Sequence, residues 1–351
     1  MEFQHGGDIY RNKTEYDFSS NINPLGMPED CVAAVQRALS HIGEYPDYCA
    51  ASLCRAIGER EGVNPGYVIP GNGAAELIYG LCYARKPRKA LGMAPAFSEY
   101  ENAVSAAGGR MQFWNLQERY GFVLGRDCEE EFLAAVNEEM DILFLCNPNN
   151  PTGTVIDKAT LIKIAERCER TGTYLCVDEC FLPFLEEEES YTMKHELETF
   201  PHLLVLRAFT KVYGMPGLRL GYILCANPVL TERLAECLPP WNTSVIAQVA
   251  GEAALKNEDF VLQTRLLIKE EKEYLIRELQ NGLADRIYAS RANFIFFHSR
   301  EDLKERLLEQ KILIRDCSNY RNLSRGYFRI AVRSHAENQE LIQRWRSISQ
   351  R

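Results

Sequence analysis

Several features are scarce or missing in this 351-residue sequence, and each absence excludes a class of protein. No apolar run reaches the roughly 20 residues that cross a bilayer. Basic charge is in deficit, with a formal net charge of -9, which argues against a general binder of nucleic acids or membrane surfaces. We find no internal repeat and no low-complexity linker. The polar N-terminus lacks an apolar signal-peptide core, so we expect a cytoplasmic protein.

Cysteine is plentiful, at twelve residues, but the cysteines are scattered and form no CxxC pair. Cys146, Cys176 and Cys225 sit in apolar runs, where a free thiol behaves as a small hydrophobic side chain. Cys176 and Cys180 have no histidine partners at metal-binding spacing. We therefore expect reduced core cysteines and no metal site.

What is present is an alternation of short apolar runs and helix-length amphipathic segments. Strands are predicted at residues 67–70, 90–94, 111–116, 142–146, 174–177, 203–206 and 218–224. Helices are predicted between several of them, at residues 74–83, 97–107 and 158–170. Short buried runs separated by helices predict an α/β fold, with a mostly parallel sheet covered by helices on both faces.

The pattern changes after about residue 251 and predicts a second, smaller α+β domain. Its predicted elements are helices at 259–280, 302–309 and 337–349 and strands at 294–297, 312–315 and 327–332. The N-terminal segment, with a helix at 28–40, is expected to pack against it. The predicted division is a large domain of residues 46–255 and a small discontinuous domain of residues 1–45 and 256–351. Four consecutive glutamates, residues 186–189, are expected to form a solvated loop.

Ligands of such sheets bind at the carboxyl ends of the strands, so the residues that follow each strand matter most. Lys211 follows the run 203–206, and a lysine there is well placed to form a Schiff base with a carbonyl cofactor. Arg219 comes eight residues later in a glycine-rich bend and is well placed to hold an anion.

Three other strand ends add polar groups. Gly73 and Ala74 open a helix after the run 67–70 and would expose backbone N–H groups to an anion. Asn150 lies in the turn after 142–146, and Asp178 ends the run 174–177, where an acid needs a partner. Each feature alone is also typical of a simple turn, a helix cap or a local salt bridge.

Together these groups are the contacts that a phosphorylated pyridine aldehyde needs. Arg219 and the helix start would hold the phosphate, Asp178 the ring nitrogen, Asn150 the phenolic oxygen, and Lys211 the aldehyde carbon. The motifs NPNNPTG, VDE and TKVYGMPGLRLGY resemble those of fold-type I pyridoxal-phosphate enzymes, specifically the class I/II aminotransferase superfamily, over essentially the whole chain.

The resemblance implies pyridoxal 5'-phosphate as the cofactor and assigns further residues. Phe97 stands where an aromatic ring stacks on the pyridine. Tyr45 resembles the tyrosine that reaches the phosphate from the neighbouring subunit, which implies a homodimer. Arg329 resembles the arginine that grips the substrate α-carboxylate, and Arg333 could exchange roles with it or simply pair with acids.

Two positions depart from the superfamily pattern. Phe181 stands where a tyrosine usually bonds the phenolic oxygen. Ala208 replaces a serine or threonine that usually helps to hold the phosphate, and Thr210 is expected to compensate in part.

Two subfamilies are similar to this sequence: L-threonine-O-3-phosphate decarboxylases of cobalamin synthesis and histidinol-phosphate aminotransferases. The opening His5-Gly6-Gly7, Phe181 and the C-terminal arginine pattern favour the decarboxylase. Arg315, with His5 and Asn21, is then expected to bind the phosphate of a small phosphorylated amino acid. The alternatives are the aminotransferase reaction and a non-catalytic protein that keeps the fold.

Overall fold

Short strands alternate with helices along the computed structural model, which describes residues 5–349. The strands are β1 (Tyr16–Asp17), β2 (Val68–Gly71), β3 (Lys89–Ala94), β4 (Arg110–Asn115), β5 (Ile142–Cys146), β6 (Tyr174–Asp178), β7 (Leu203–Ala208), β8 (Gly221–Leu224), β9 (Arg286–Ile287), β10 (Phe294–His298), β11 (Ile312–Leu313), β12 (Arg315–Asp316) and β13 (Tyr327–Ala331). The helices are α1 (Glu29–Ala38), α2 (Ala51–Glu61), α3 (Ala74–Arg85), α4 (Glu99–Ala106), α5 (Glu129–Ala135), α6 (Lys158–Thr171), α7 (Phe209–Val212), α8 (Pro228–Cys237), α9 (Val245–Ala254), α10 (Glu258–Gln280), α11 (Leu303–Glu309) and α12 (His335–Ser349).

The central sheet has the strand order β2-β8-β7-β6-β5-β3-β4. The strands from β7 to β4 pair in parallel, whereas β8 pairs antiparallel with both β7 and β2. The prediction of a mostly parallel sheet is confirmed. Parallel strands lie side by side with their carboxyl ends at one edge, so the residues after β5, β6 and β7 come together there.

Both faces of this sheet are buried, as the uninterrupted apolar runs predict. Along β5, Leu143 and Leu145 belong to one core, whereas Ile142, Phe144 and Cys146 belong to the other. This alternation follows from the two-residue period of a strand. Helices α3, α4 and α8 contribute to the second core, and α2, α6 and α9 to the first.

The C-terminal region forms a four-stranded antiparallel sheet of order β12-β13-β10-β9. Strand β1 pairs in parallel with β11, so the N-terminal segment does pack against this region. The predicted strand 312–315 is wrong as one element, because Ile312–Leu313 pairs with β1 and Arg315–Asp316 pairs with β13 in a different sheet. The domain boundaries at residues 45 and 255 stay a prediction.

One other local prediction needs correction, and one needs an addition. The strand predicted at 218–224 starts only at Gly221, because Pro216–Leu218 forms a 3-10 turn and Arg219 adopts a left-handed φ of 57°. The four glutamates at 186–189 are largely exposed, as predicted, with Glu188 partly buried. The sequence did not predict that each also pairs with a basic side chain: Lys269, Arg291, Arg207 with Arg265, and Lys194 with His195.

Within residues 5–349, none of the helices is long and apolar enough to cross a membrane. The same part of the chain contains no cluster of three or more histidine, cysteine or acidic side chains that could hold a metal ion. The twelve cysteines are free thiols, and all but Cys49, Cys54 and Cys237 are buried.

Candidate active site

A cavity of about 420 Å³ opens at the carboxyl ends of β5, β6 and β7. Most of the residues predicted for the site line it, although they come from widely separated parts of the sequence. The lining residues are His5, Gly6, Ser19, Ser20, Asn21, Ala74, Ala75, Phe97, Glu99, Cys146, Asn150, Asp178, Cys180, Phe181, Ala208, Thr210, Lys211, Arg219, Arg315, Tyr320 and Arg329.

Asp178 is the last residue of β6 and is 5% exposed. Its carboxylate accepts hydrogen bonds from the Tyr100 hydroxyl at 2.6 Å and from the Cys180 backbone N–H at 2.9 Å. Burial raises the pKa of Asp178, although these donors and the charge of Lys211 oppose the shift. A buried carboxylate held this way is suited to receive a cationic N–H from a ligand.

Lys211 lies on α7, the four-residue helix that follows β7. The surrounding protein excludes water from the amine, and the nearby guanidinium of Arg329 repels its charge; together they lower the pKa of Lys211 to about 8. The Nζ atom lies 5.8 Å from the centre of the Phe181 ring. An amine with this pKa is partly neutral near physiological pH and can act as a nucleophile or exchange a proton.

Arg219 and the start of α3 lie together at one corner of the cavity, and their role in binding an anion stays a prediction. The corner requires glycine at position 73, where φ is 83° and a Cβ atom would lie 2.6 Å from Arg219 Nη2. Arg219 Nη1 donates to the Pro216 carbonyl at 3.1 Å, which fixes the guanidinium. Backbone N–H groups at the helix start, together with this guanidinium, suit a phosphate.

Arg329 lies on β13 and is brought against Asn150 from the central sheet. Its Nη1 donates to the Asn150 side-chain oxygen, and its Nη2 donates to the Ser19 carbonyl at 2.7 Å. Arg329 is 5% exposed, and its Nε has no hydrogen-bond partner among residues 5–349. Burial lowers the pKa of Arg329. The alternative candidate, Arg333, pairs with Glu337 at 2.7 Å instead.

The other predicted substrate residues, His5, Asn21 and Arg315, also line the cavity. His5 Nε2 lies 2.9 Å from a Glu99 carboxylate oxygen. Arg315 Nη2 donates to Asn319 Oδ1 at 2.8 Å, and its guanidinium lies 5.0 Å from the centre of the Tyr320 ring. The cavity therefore has a second cationic end, distinct from the corner formed by Arg219.

Two predicted site residues, Gly73 and Tyr45, are not among those that line the cavity in the described part of the chain. Gly73 lies directly against Arg219, which does line it. Tyr45 is 79% exposed and stacks on Trp241, with ring centres 4.5 Å apart. Phe97 and Thr210 line the cavity as predicted.

Sequence reasoning missed Tyr100 and Glu99. Tyr100 lies three residues after Phe97, and periodicity over the predicted helix 97–107 would have placed both side chains on one face, although α4 itself begins at Glu99. Glu99 carried no signal of its own, because its contacts with His5 and with the Tyr79 hydroxyl, at 3.1 Å, join distant segments.

The residues fit pyridoxal phosphate. The cavity combines a glycine-dependent anion corner, a buried carboxylate and a lysine with a lowered pKa. Its basic side chains, His5, Lys211, Arg219, Arg315 and Arg329, outnumber the acidic ones, Asp178 and Glu99. Such an excess suits ligands that carry several negative charges.

Comparison with known proteins agrees with this geometry. The family model "Aminotransferase class I and II" matches residues 13–344. The chain is 36% identical to the threonine-phosphate decarboxylase of Salmonella typhimurium, over 98% of this chain and 96% of that protein. It is 32% identical to the histidinol-phosphate aminotransferase of Caldanaerobacter subterraneus subsp. tengcongensis, over 95% of this chain and 93% of that one.

Solved structures have the same fold. The histidinol-phosphate aminotransferase of Clostridium acetobutylicum superimposes with a TM-score of 0.89 at 28% identity, over 95% of this chain and 99% of that chain. The predicted α/β fold with a smaller second region is therefore confirmed.

Proposed function

This chain belongs to the class I and II aminotransferase family, and on that premise we propose that it decarboxylates L-threonine O-3-phosphate to 1-amino-2-propanol O-2-phosphate. It is an enzyme of the pyridoxal-phosphate-dependent class. The choice of decarboxylation within that class, and the substrate, are the proposal. The similarity to a threonine-phosphate decarboxylase over nearly the whole of both chains supports it.

One observation carries the proposal: three arginines and Lys211 line a single cavity. Arg219, in the corner beside Gly73, would hold the cofactor phosphate. Arg315 and Arg329 then remain for the substrate. L-Threonine O-3-phosphate carries two anionic groups, a carboxylate and a phosphate, which match two guanidinium groups.

The other cofactor contacts follow from the side chains already described. Asp178 would pair with the ring nitrogen, Phe97 would stack on the ring, and Thr210 would add a hydroxyl near the phosphate. Asn150 uses its carbonyl oxygen on Arg329, so its amide nitrogen is the group that would donate to the ring oxygen. Lys211 would attach the cofactor. When bound, pyridoxal phosphate supplies an electron sink that stabilises negative charge at the substrate Cα.

The protein side chains then set which bond breaks. Arg329 would orient the carboxylate, and Arg315, with His5 and Asn21, would hold the phosphate at the opposite end. Two fixed ends restrict rotation about the bonds at Cα, which is how a site selects the Cα–carboxylate bond. After CO₂ leaves, Lys211 Nζ would deliver a proton to Cα, and its pKa of about 8 suits that transfer.

The direct test is to incubate the purified holoenzyme with L-threonine O-3-phosphate and measure CO₂ release. An Arg315→Gln variant tests the phosphate site, because it should raise KM for the phosphorylated substrate about 10- to 100-fold, as expected for the loss of a charge-assisted contact of about 1.5–3 kcal/mol. Amino transfer from histidinol phosphate to 2-oxoglutarate, with no CO₂ from threonine phosphate, would contradict the proposal.

A histidinol-phosphate aminotransferase is the second candidate, since that class includes a relative at 32% identity and a solved structure at 28%. Histidinol phosphate has a phosphate and no carboxylate. The second arginine would then serve the two carboxylates of 2-oxoglutarate, the amino acceptor. Activity that depends strictly on 2-oxoglutarate distinguishes this candidate.

We also propose a homodimer in which Tyr45 reaches the cofactor phosphate of the partner subunit. Tyr45, Tyr48 and Trp241 form an exposed aromatic patch, with exposures of 79%, 64% and 43%. Exposed aromatic clusters are typical of interfaces. Sedimentation should give twice the chain mass, and Tyr45→Phe should weaken cofactor binding without dissociating the dimer.

A further inference from the structure

Helix α7, which carries Lys211, is only four residues long, and a second segment binds the carbonyl groups at its end. The backbone N–H of Asn23 donates to the Lys211 carbonyl at 3.1 Å. The Asn23 side-chain Nδ2 donates to the Val212 carbonyl at 2.6 Å. Carbonyls at a helix end need such partners, and a helix this short has few of its own.

Resting on the function proposed above, we infer that Asn23 is a positioning residue that holds Lys211 in the site. Its Nδ2 also donates to Thr264 Oγ1 on α10 at 2.7 Å, and its Oδ1 accepts from the Leu25 N–H at 3.0 Å. The residue is 2% exposed. Each polar group of this side chain therefore has a defined partner, and together they tie α7 to α10.

The loop after α7 packs closely on the same N-terminal segment. Gly214 has a φ of 60°, and a Cβ atom there would lie 2.3 Å from the Gly26 carbonyl oxygen. Contacts from Asn23 and from Gly26 thus restrict how far the backbone of Lys211 can move.

The segment also reaches the other end of the cavity. The Ser19 carbonyl accepts from Arg329 Nη2 at 2.7 Å, and Asn21 lines the cavity between Ser19 and Asn23. Residues 19–23 therefore form a segment that contacts Arg329 at one end and α7, the helix that carries Lys211, at the other. A substitution at Asn23 should displace Lys211, and even a small displacement of a reacting group lowers the reaction rate strongly.

The substitution Asn23→Asp tests this inference. It keeps the shape, the backbone N–H and the turn to Leu25, but it replaces the two Nδ2 donor bonds with a carboxylate oxygen. Two further variants separate the contacts. Thr264→Val removes the acceptor on α10, together with the hydroxyl's own bond to the Phe260 carbonyl. Asn227→Asp makes the same exchange in the cap of α8.

The first measurement needs no substrate: the rate at which the apoprotein recaptures added pyridoxal phosphate on Lys211, followed by absorbance. We expect Asn23→Asp to slow recapture and to lower kcat for threonine phosphate by about 10- to 100-fold, with KM within about threefold, as for misplacement of a reacting group. The midpoint of the pH titration of the bound-cofactor absorbance should also shift. Thr264→Val should give a smaller effect and Asn227→Asp none.

A purely structural role predicts a different result. Asn23→Asp would then lower the unfolding temperature while the recapture rate, the absorbance titration and kcat stay at wild-type values, and that outcome would overturn the inference. If Asn23→Asp does not fold, Asn23→Ser is measured instead, and a wild-type rate of recapture in that variant would likewise overturn the inference. Slow recapture in a protein that releases no CO₂ from threonine phosphate would support the inference and contradict the proposed reaction alone.

Discussion

Asp178 and Glu179 are neighbours at the end of the same strand, yet their carboxylates lie in different surroundings. Glu179 accepts from Arg207 Nη2 at 2.7 Å and from the Thr192 hydroxyl at 2.8 Å. Asp178 faces the cavity and accepts only from the neutral donors of Tyr100 and Cys180; within residues 5–349 it forms no salt bridge. Burial raises the pKa of both carboxylates, but only Glu179 has a guanidinium as its direct partner.

Two buried arginines show the same contrast. Arg207 contacts the carboxylates of Glu61, Glu179 and Glu188. Burial would lower the pKa of Arg207, but these three charges outweigh it and hold the pKa well above the ordinary value. Arg329 contacts an amide oxygen and a backbone carbonyl, and burial lowers its pKa.

We propose that the difference separates charges that stabilise the fold from charges that bind a ligand. We call the first group, Glu61, Glu179, Glu188, Lys194 and Arg207, the paired cluster. Within residues 5–349, none of Asp178, Lys211 and Arg329 in the cavity forms an ion pair, and the hydrogen bonds of Asp178 and Arg329 go to neutral groups. Keeping them buried lowers stability, and ligands that carry the opposite charge would recover it.

The largest expected effect comes from Lys211→Met. Loss of the nucleophile and proton donor should lower activity by at least about 10³-fold. The apoprotein should become more stable, because the lowered pKa of Lys211, about 8, means that folding buries an unfavourable charge. The gain at pH 7 is at most about 3 kcal/mol, from the difference to an unfolded pKa near 10.4.

The sign of the pH dependence follows from that pKa. Below pH 8 Lys211 is protonated in both the folded and the unfolded state, so the wild-type protein is destabilised by the full free energy of burying this charge. Between about pH 8 and 10.4 the folded state loses its proton first, so the advantage of Lys211→Met should shrink as pH rises. Urea unfolding of both apoproteins at pH 7 and pH 10 measures this, with the exposed Lys269→Met as control. A variant less stable than the wild type at pH 7 would show that burying the charge of Lys211 is not unfavourable.

The next largest effects should distinguish Arg207, which we expect to matter for stability, from Arg329, which we expect to matter for activity. Arg207→Met leaves Glu61 and Glu179 buried without their partner and should lower the free energy of unfolding by about 3–5 kcal/mol. Arg329→Met should cost less stability but abolish most activity, because it removes the proposed carboxylate contact. Calorimetry of the apoproteins and steady-state kinetics test the pair. Equal losses of stability would show that the two arginines play the same role.

A smaller effect is expected from Tyr100→Phe, which removes one donor from Asp178 without touching the paired cluster. A hydrogen bond to a charged group contributes about 1.5–3 kcal/mol, so cofactor binding should weaken roughly 10- to 100-fold. The dissociation constant for pyridoxal phosphate, measured by titration, checks this. Tyr67→Phe is the matched control, since its hydroxyl contacts Glu198 at the exposed surface.

The smallest effects should appear within the four consecutive glutamates. Glu186 pairs with Lys269 at the surface, where both side chains are about half exposed, so Glu186→Gln should change stability by less than about 1 kcal/mol. Glu188 is 15% exposed and bridges Arg207 at 2.5 Å and Arg265 at 2.6 Å. Glu188→Gln should therefore lower the free energy of unfolding more than Glu186→Gln does, as measured by chemical unfolding at low salt. Equal losses of stability in the two variants would show that Glu188 does not belong to the paired cluster.

The fold class and several of the residues that line the cavity follow from the sequence alone, whereas other lining residues such as Glu99 do not. Apolar runs separated by helices lead to a parallel sheet, and parallel strands bring their carboxyl ends to one edge. Asn150, Asp178 and Lys211 therefore had to approach one another, whatever the details of packing. Their individual roles stay predictions. Strand boundaries were less secure, because the left-handed backbone at Arg219 ends an apolar run that otherwise continues.

Tertiary structure alone decided which side chains hold those residues in place. Tyr100 reaches Asp178 across 78 residues of sequence, and Asn23 reaches Val212 across 189. Periodicity and local turn chemistry report only on neighbours in the chain, so neither contact leaves a pattern to read. The same holds for the different environments of Asp178 and Glu179. Both are acids at one strand end, and only packing across the sheet assigns one to a guanidinium and the other to the cavity.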